Sequence, residues 1–388
     1  MHTFDDIIAV IRTAHNAPEG PVPLHAPRFC GNEGDYVQQT IASTFVSSVG
    51  AFVDRFEAML REATEARHVI ATVNGTAALH MALLLAGVRH GDIVLTQAVS
   101  FVATCNAIAY CGAAPAFVDI DADTLGLSPD ALRDFLHTRC ERTAEGWRER
   151  ASGRRIGACV PMHTFGHPCR IAALAEECAR AGIPLVEDAA EALGSYGDGG
   201  RHAGTFGLFG TLSFNGNKII TCGGGGAILT DDPQLGPLAK HMTTTAKLPH
   251  RWLYRHDMTG YNYRLPNINA ALGCAQLENL DAFVADKRDL AATYARAFAG
   301  LGVPFVVEPA KSRSNYWLNA ILMDDATRRD AFLAASNDAG VMTRPVWEPL
   351  CDLPMYADCA HGPLTVTRDI AGRLVNIPSS VRGTAGAA

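Results

Sequence analysis

The stretch His68-Val69-Ile70-Ala71-Thr72-Val73-Asn74-Gly75-Thr76-Ala77-Ala78-Leu79 passes from an apolar, β-branched run through a turn into a helix former. His68 to Thr72 reads as a strand, Asn74-Gly75-Thr76 as a turn and Ala77 to Ala86 as a helix. The same unit recurs downstream. Asp92 to Thr96 is expected as a strand before a helix over Phe101 to Cys111. Ala116 to Ile120 precedes a helix opened by Ser128-Pro129, a favoured cap and first-turn pair. Ile156 to Met162, Ile171 to Ala181 and Pro184 to Val186 read as strand, helix and strand. Such alternation predicts an α/β fold with a mainly parallel sheet. Thr211 to Phe214 and Ala227 to Thr230 flank a glycine run and are expected to pair antiparallel near the sheet edge.

Outward from this centre the pattern changes. Phe4, Ile7, Ile8 and Ile11 recur at helical spacing, so a helix over Phe4 to His15 opens the chain. Asn16 to Pro27 carries four prolines and reads as extended; Tyr36 to Phe45 and Ala51 to Ala63 read as helices. Beyond Asp231, Pro266 to Leu301 is helix-rich, Trp317 to Met323 a strand, Ala326 to Ala339 a helix and Val341 to Pro345 a strand. The expected division is an N-terminal helix and arm over residues 1–27, a large α/β domain over 28–240 and a smaller α+β domain over 241–388. The Arg- and Glu-rich stretch from Arg139 to Arg155 reads as a solvated surface insertion.

Composition narrows the function. The 388 residues are 48% hydrophobic and 19% charged, which excludes a disordered chain. The formal net charge of −7 leaves no electrostatic footprint for nucleic acid or an anionic membrane. No stretch approaches the ~18 apolar residues of a membrane span. The eleven cysteines form no Cys-x-x-Cys pair and Met1 to Asp6 is polar and acidic, so a cytoplasmic protein with reduced thiols is expected.

Three features carry chemistry. Lys218 stands between the apolar run ending at Phe214 and the four glycines 223–226. An amine there is partly desolvated, which suits a Schiff-base nucleophile, although a lone lysine before a turn is more often solvated. Glu187 and Asp188 follow the apolar run Pro184 to Val186, where ligands collect in open α/β sheets. Alone, Asp188 would read as the cap of a helix starting at Ala189. The turn at Asn74-Gly75-Thr76 points helix amides at an anion, without the glycine pattern of a P-loop or a dinucleotide fold. Together they call for a cofactor with one phosphate, one carbonyl and one basic ring nitrogen, and pyridoxal phosphate (PLP) meets all three.

With these residues in view, the chain from about Val22 to Ser380 resembles the DegT-type sugar-nucleotide aminotransferases of PLP fold type I, which share an aspartate aminotransferase-like architecture. The marks are Asn74 to Leu79, Phe101-Val102-Ala103-Thr104, Glu187-Asp188-Ala189-Ala190-Glu191, Ser213-Phe214 with Lys218, and Gly260-Tyr261-Asn262-Tyr263-Arg264. The resemblance implies Lys218 as the Schiff-base lysine and Asp188 as partner of the pyridine nitrogen. It implies Phe101 stacked on the ring, with Gly75, Thr76, Ala77 and Ser213 around the phosphate. It also implies Glu191 against the cofactor, where many relatives carry Gln or His, and Asn262 reaching the phosphate from the partner subunit of a homodimer. Members that dehydrate or deoxygenate sugars replace the lysine with histidine; retention of Lys218 therefore points to transamination, with L-glutamate as donor.

Finer marks resemble the branch that aminates C4 of a UDP-linked 4-keto-6-deoxy-N-acetylhexosamine, on routes to bacillosamine- or legionaminic-acid-type sugars. These are the segments Pro23 to Phe29, Phe45 to Gly50, Thr343 to Trp347 and Asn376 to Ser380. Branches acting on GDP- or dTDP-linked 3- or 4-keto sugars, perosamine-forming ones included, share most of them. Arg28, Ser48, His163, Tyr316 and Arg344 are the candidates for the sugar-nucleotide pocket, an arginine being suited to a diphosphate. Tyr316 could equally serve packing, and His163 could equally be a hydrogen-bonded structural histidine. A metal pair of His163 and His167 would need a helix that Gly166 and Pro168 break, so no metal is expected. Two other classes fit the residues less well: a non-catalytic regulator on the same fold, opposed by the intact Lys218, Asp188 and Thr76 set, and a thiol- or metal-based protein, opposed by the lack of ligand spacing.

Overall fold

The computed structural model describes residues 3–382, so the first two residues of the 1–27 segment and the last six of the 241–388 segment lie outside the described residues. The chain opens with α1 (Phe4–Ala14), where Thr3 and Asp6 form a reciprocal capping box. Helices α2 (Glu33–Ser43) and α3 (Ala51–Thr64) follow the extended arm. Then come β1 (His68–Thr72), α4 (Gly75–Leu85), β2 (Ile93–Gln97), α5 (Ala103–Tyr110), β3 (Ala114–Val118) and α6 (Pro129–Arg139). A hairpin of β4 (Cys140–Thr143) and β5 (Gly146–Glu149) leads to β6 (Ile156–Val160), α7 (Ile171–Ala181) and β7 (Val186–Asp188). Strands β8 (Phe209–Ser213) and β9 (Gly226–Thr230) and helix α8 (Leu235–Thr243) complete this part.

Seven of these strands lie side by side in the order β3-β2-β6-β7-β8-β9-β1, with β6 joined to β7 through the parallel bridges Cys159–Leu185 and Met162–Asp188. Only β9 runs against its neighbours. Strands β2, β6 and β7 are buried throughout, as central strands are when helices cover both sheet faces. One face packs Val94, Val186, Phe209 and Ile228 against α4, α5 and α8. The other packs Leu95, Val118, Cys159 and Leu185 against α6 and α7. The fold is α/β with a mainly parallel sheet, as expected from the alternation.

The rest of the chain forms α9 (Asn267–Leu277), α10 (Leu280–Leu301), β10 (Asn319–Leu322), α11 (Ala326–Asp338), β11 (Arg344–Pro345), α12 (Thr365–Arg373) and β12 (Leu374–Ile377). Its three strands make an antiparallel sheet in the order β10-β12-β11. Helix α1 joins this core: Ile7, Ile8 and Ile11 pack with Leu290, Tyr294, Phe298, Ile321 and Val375. A larger cluster runs from Phe56 and Leu60 of α3 through Phe214 and Leu265 to Trp317, Val346 and Leu374, fastening the second sheet to the first.

Three local expectations are corrected. Strand β7 runs Val186–Asp188, so both acids lie within it, and residues 189–195 are turns rather than a helix capped by Asp188. Helix α5 starts at Ala103, leaving Phe101 free of helical constraint. The 139–155 stretch is a hairpin that covers the end of α7, with Trp147 Nε1 donating to Ala181 O at 3.1 Å. All eleven cysteines are free thiols. Among the described residues no helix is long and apolar enough to cross a membrane.

Candidate active site

A cavity of about 290 Å³ opens where β1, β7 and β8 end and α4 begins. Loops at the carboxyl ends of parallel strands are the common ligand position in open α/β sheets. Asn74, Gly75 and Thr76 arrive from β1, Asp188 from β7, and Ser213 and Lys218 from β8 and the turn after it.

The α4 end is built for an anion. Asn74 is in extended conformation and its side chain accepts from Ala77 N at 2.7 Å, which caps the helix. First-turn amides have no carbonyl partner inside the helix, and the macrodipole makes that end positive. No acidic side chain occupies the first turn, so the positive end is not already neutralised. A Cβ at position 75 would stand 2.8 Å from Ser213 Cβ, and one at 226 would stand 2.4 Å from the carbonyl carbon of Asn74. Glycine at both positions lets α4 seat directly on the ends of β8 and β9.

Lys218 sits in a turn anchored by buried Phe214, Ile219, Ile220 and Cys222. Its Nζ donates to Glu191 Oε1 at 3.1 Å and lies 4.1 Å from the centroid of the Trp317 ring. The lysine side chain is 11% exposed and that of Glu191 1%. Burial pushes the Glu191 carboxyl up to about 7, with the Lys218 charge and the Phe165 N–H pulling the other way. Asp188 is buried with donors on both oxygens: Thr104 Oγ1 to Oδ2 at 2.7 Å and Ala190 N to Oδ1 at 3.2 Å.

The structure therefore brings Gly75, Thr76, Phe101, Asp188, Glu191, Ser213 and Lys218 to one cavity. Ala77 lies behind it, with its amide already taken by Asn74. His163 is not brought there. It is fully buried on the far side of β7, where its Nδ1 accepts from Cys169 N at 3.2 Å and Nε2 lies 3.0 Å from Glu187 Oε2. Side chains alternate faces along a strand, so Glu187 and Asp188 cannot serve the same site.

Tyr316 is packed away, its hydroxyl accepting from Glu308 N at 2.9 Å and its ring edge-on to His167. Its neighbour Trp317 takes the cavity wall instead, because Tyr316 adopts a left-handed φ of 49° and Asn315 Oδ1 accepts from Trp317 N at 2.8 Å. Arg344 is exposed and bonds Asn337 Oδ1 and Thr343 O. Arg28 bonds Arg382 O at 2.7 Å, while Ser48 stands outside the cavity lining. Asn262 is exposed and accepts from Arg264 Nε at 3.1 Å, outside the cavity of its own chain.

Sequence reasoning did not single out Trp317, Trp347 and Met162 as wall residues, nor Thr104 as the donor to Asp188. Thr104 and Trp347 stood inside quoted marks, but nothing in their spacing reveals the fold that turns them inward.

The donor set suits PLP. A primary amine that can reach a carbonyl carbon, a doubly bonded carboxylate that can hold a ring nitrogen, and helix amides beside a serine hydroxyl share one pocket. No metal-like group of three or more His, Cys, Asp or Glu occurs among the described residues.

Comparison with known proteins agrees with this chemistry. The model of the DegT/DnrJ/EryC1/StrS aminotransferase family matches residues 30–387. Over 358 residues the chain is 35% identical to a GDP-perosamine synthase of Escherichia coli O157:H7, covering 92% of this chain and 93% of the relative. It is 32% identical over 361 residues to a GDP-perosamine synthase of Vibrio cholerae, covering 92% and 94%. Its structure is similar to that of the aminotransferase TlmJ from Streptoalloteichus hindustanus, with a TM-score of 0.84, 30% identity and coverage of 93% and 94%.

Proposed function

Because the chain belongs to the DegT/DnrJ/EryC1/StrS aminotransferase family, PLP-dependent sugar aminotransferases of fold type I, we propose that it moves an amino group from L-glutamate to C4 of a nucleotide-linked 4-keto-6-deoxyhexose. One observation supports this reading above the others. The amine of Lys218 and the buried carboxylate of Asp188 share a cavity headed by the positive end of α4.

When bound, PLP supplies an aldehyde that exchanges amines and a protonated ring that accepts electrons. In this reading the amides of Gly75 and Thr76 and the hydroxyl of Ser213 hold the phosphate. Asp188, steadied by Thr104 and Ala190, keeps a proton on the ring nitrogen. Lys218 would hold the cofactor's aldehyde group through Nζ and, once displaced by the incoming amino acid, would be the base that takes the proton of its α-carbon. Phe101, Trp317 and Trp347 wall the pocket with aromatic surface that keeps water from the reacting atoms. The same residues would serve the second half-reaction, in which the amino group passes to the keto-sugar.

The acceptor's nucleotide has two readings. The segments quoted from the sequence support a UDP-linked N-acetylated sugar, whereas the relatives named above support a GDP-linked one. A shared site in a homodimer is supported by Asn262, which is exposed and outside the lining of its own cavity, and by Trp252 and Tyr254, which are 68% and 82% exposed nearby in the chain. An enzyme using nucleotide sugars and glutamate is assigned to the cytoplasm, where both are made.

Purified protein, PLP and L-glutamate should be offered UDP-, GDP- and dTDP-linked 3- and 4-keto sugars, with products identified by mass and NMR. Amination at C4 of a UDP-linked sugar is the expected outcome; turnover of GDP-linked sugars alone replaces the first nucleotide with the second. Turnover confined to 3-keto sugars overturns the assignment to C4. Lys218→Ala should abolish turnover, and appreciable steady-state activity in that variant would refute the role given to the lysine.

A further inference from the structure

Lys218 and Glu191 meet in a setting where neither has another charged hydrogen-bond partner. Glu191 Oε2 accepts from Phe165 N at 2.9 Å, which leaves Oε1 for Lys218 Nζ at 3.1 Å. The backbone of Glu191 is itself fixed, its carbonyl accepting from Asn315 Nδ2 at 2.8 Å. The amine has the carboxyl on one side and the face of Trp317 on another. This pair can exist as ammonium and carboxylate or as amine and carboxylic acid. The two forms hold the same number of protons and the same net charge.

Water favours the charged form strongly, by the ~6-unit gap between ordinary lysine and glutamate pKa values. Burial penalises the carboxylate of Glu191, so it narrows the gap from the acid's side. The carboxyl's rise to about 7 expresses that penalty, with the Asp188 charge adding to it and Lys218 opposing it. Of the other titratable groups nearby, His163 bonds Glu187 and His167 packs on Tyr316, while His25, against Trp317, is held well below its ordinary value by burial and then by the Lys287 and Lys218 charges.

We propose that Glu191 is the proton partner of Lys218, taking the ammonium proton onto Oε1 so that the neutral amine is available to condense with the cofactor aldehyde. The N–H bond breaks with its electron pair left on Nζ, and an O–H bond forms on Oε1; nothing is oxidised or reduced. When the lysine is later released as an amine, Glu191 keeps the proton, so that Nζ has a lone pair free to take the α-carbon proton. This rests on the reading of Lys218 as the Schiff-base lysine.

The test follows uptake of PLP by the apoprotein through the growth of its visible absorbance, from pH 6 to pH 9, in wild type and in Glu191→Gln. Glutamine keeps the shape and can still accept from Phe165 N–H, but it cannot carry the proton. Wild type should load at a rate nearly flat in pH, because the competent form arises without losing a proton to bulk. The variant should be roughly 10- to 100-fold slower at pH 6 and converge on wild type as the pH rises. Glu191→Asp should recover part of the flat profile.

A wild-type-to-variant ratio that is constant in pH shows a merely structural residue and overturns the proposal. So does a glutamine variant faster at every pH, which would mean that the acid only pins the lysine as ammonium. If Glu191→Gln does not fold, the Asp variant decides: a profile as flat as wild type upholds the proposal and a steep one overturns it. Failure of wild type to take up PLP at all refutes the underlying role of Lys218 instead, so the two failures are distinct.

Discussion

Thr104 shows how much a single hydroxyl can decide. It lies 84 positions from Asp188 in the chain, yet its Oγ1 donates to Asp188 Oδ2 at 2.7 Å, and Ser100 Oγ stands 2.7 Å from Thr104 in turn. Removing a donor from a buried carboxylate leaves an acceptor unsatisfied, at a cost of about 1–3 kcal/mol. Thr104→Val keeps the volume and loses the bond, so it should weaken PLP binding roughly 5- to 150-fold, read by fluorescence titration of the apoprotein. Affinity unchanged from wild type would show that the second donor, Ala190 N–H, suffices. The sequence identified the acid itself, since it follows an apolar strand. Its hydroxyl partner was invisible, because hydrogen bonds across the sheet leave no local trace.

At the scale of elements, the junction of β1 and α4 carries the site. The Asn74 side chain satisfies one of the four orphan donors of α4, and the turn is short because Gly226 lets β9 pass beneath it. Asn74→Ala should cost about 1 kcal/mol, visible as a lower urea midpoint with an unchanged slope. A stability equal to wild type would mean that tertiary contacts alone hold the helix end. This junction was legible because strand, turn and cap are consecutive residues. Strand β7 was less so. Its expected end at Val186 moves to Asp188, since the bridge from Met162 extends pairing past the apolar run. Parity then sends Glu187 to one face and Asp188 to the other, which separates His163 from the cavity.

Across the whole molecule, buried histidines set the acid limit. His167 has no hydrogen-bond partner for either ring nitrogen, and burial pushes it down to about 4 against a weaker pull from Glu308. Burial takes His202 to about 4 as well. Unfolded, both bind a proton near pH 6.5. Their contribution is therefore complete above pH 6.5 and is lost as the pH falls towards 4, where the unfolded chain takes protons that the folded one refuses. His167→Leu should make the fall in Tm between pH 6.5 and 4 shallower than in wild type, and an equal slope would count against this account. Assembly is the second whole-molecule expectation. Trp252→Ser combined with Tyr254→Ser should shift the protein towards monomer in sedimentation velocity, with activity falling in parallel; a monomeric wild type that is fully active would remove the shared site.

From the chain alone came the alternation of strand and helix, the reactive lysine, the acid after the apolar run and the helix start that suits an anion. Each is written in residues that are consecutive or evenly spaced, because burial periodicity and turn chemistry are local. Folding in three dimensions determined the rest: Glu191 beside Lys218, Trp317 rather than Tyr316 in the wall, His163 behind the sheet, and α1 in the core of the C-terminal strands. Those outcomes depend on strand parity, a left-handed residue at 316 and contacts between segments far apart in sequence. No spacing rule encodes such contacts, since each exists only once both partners have been placed by the packing of everything else.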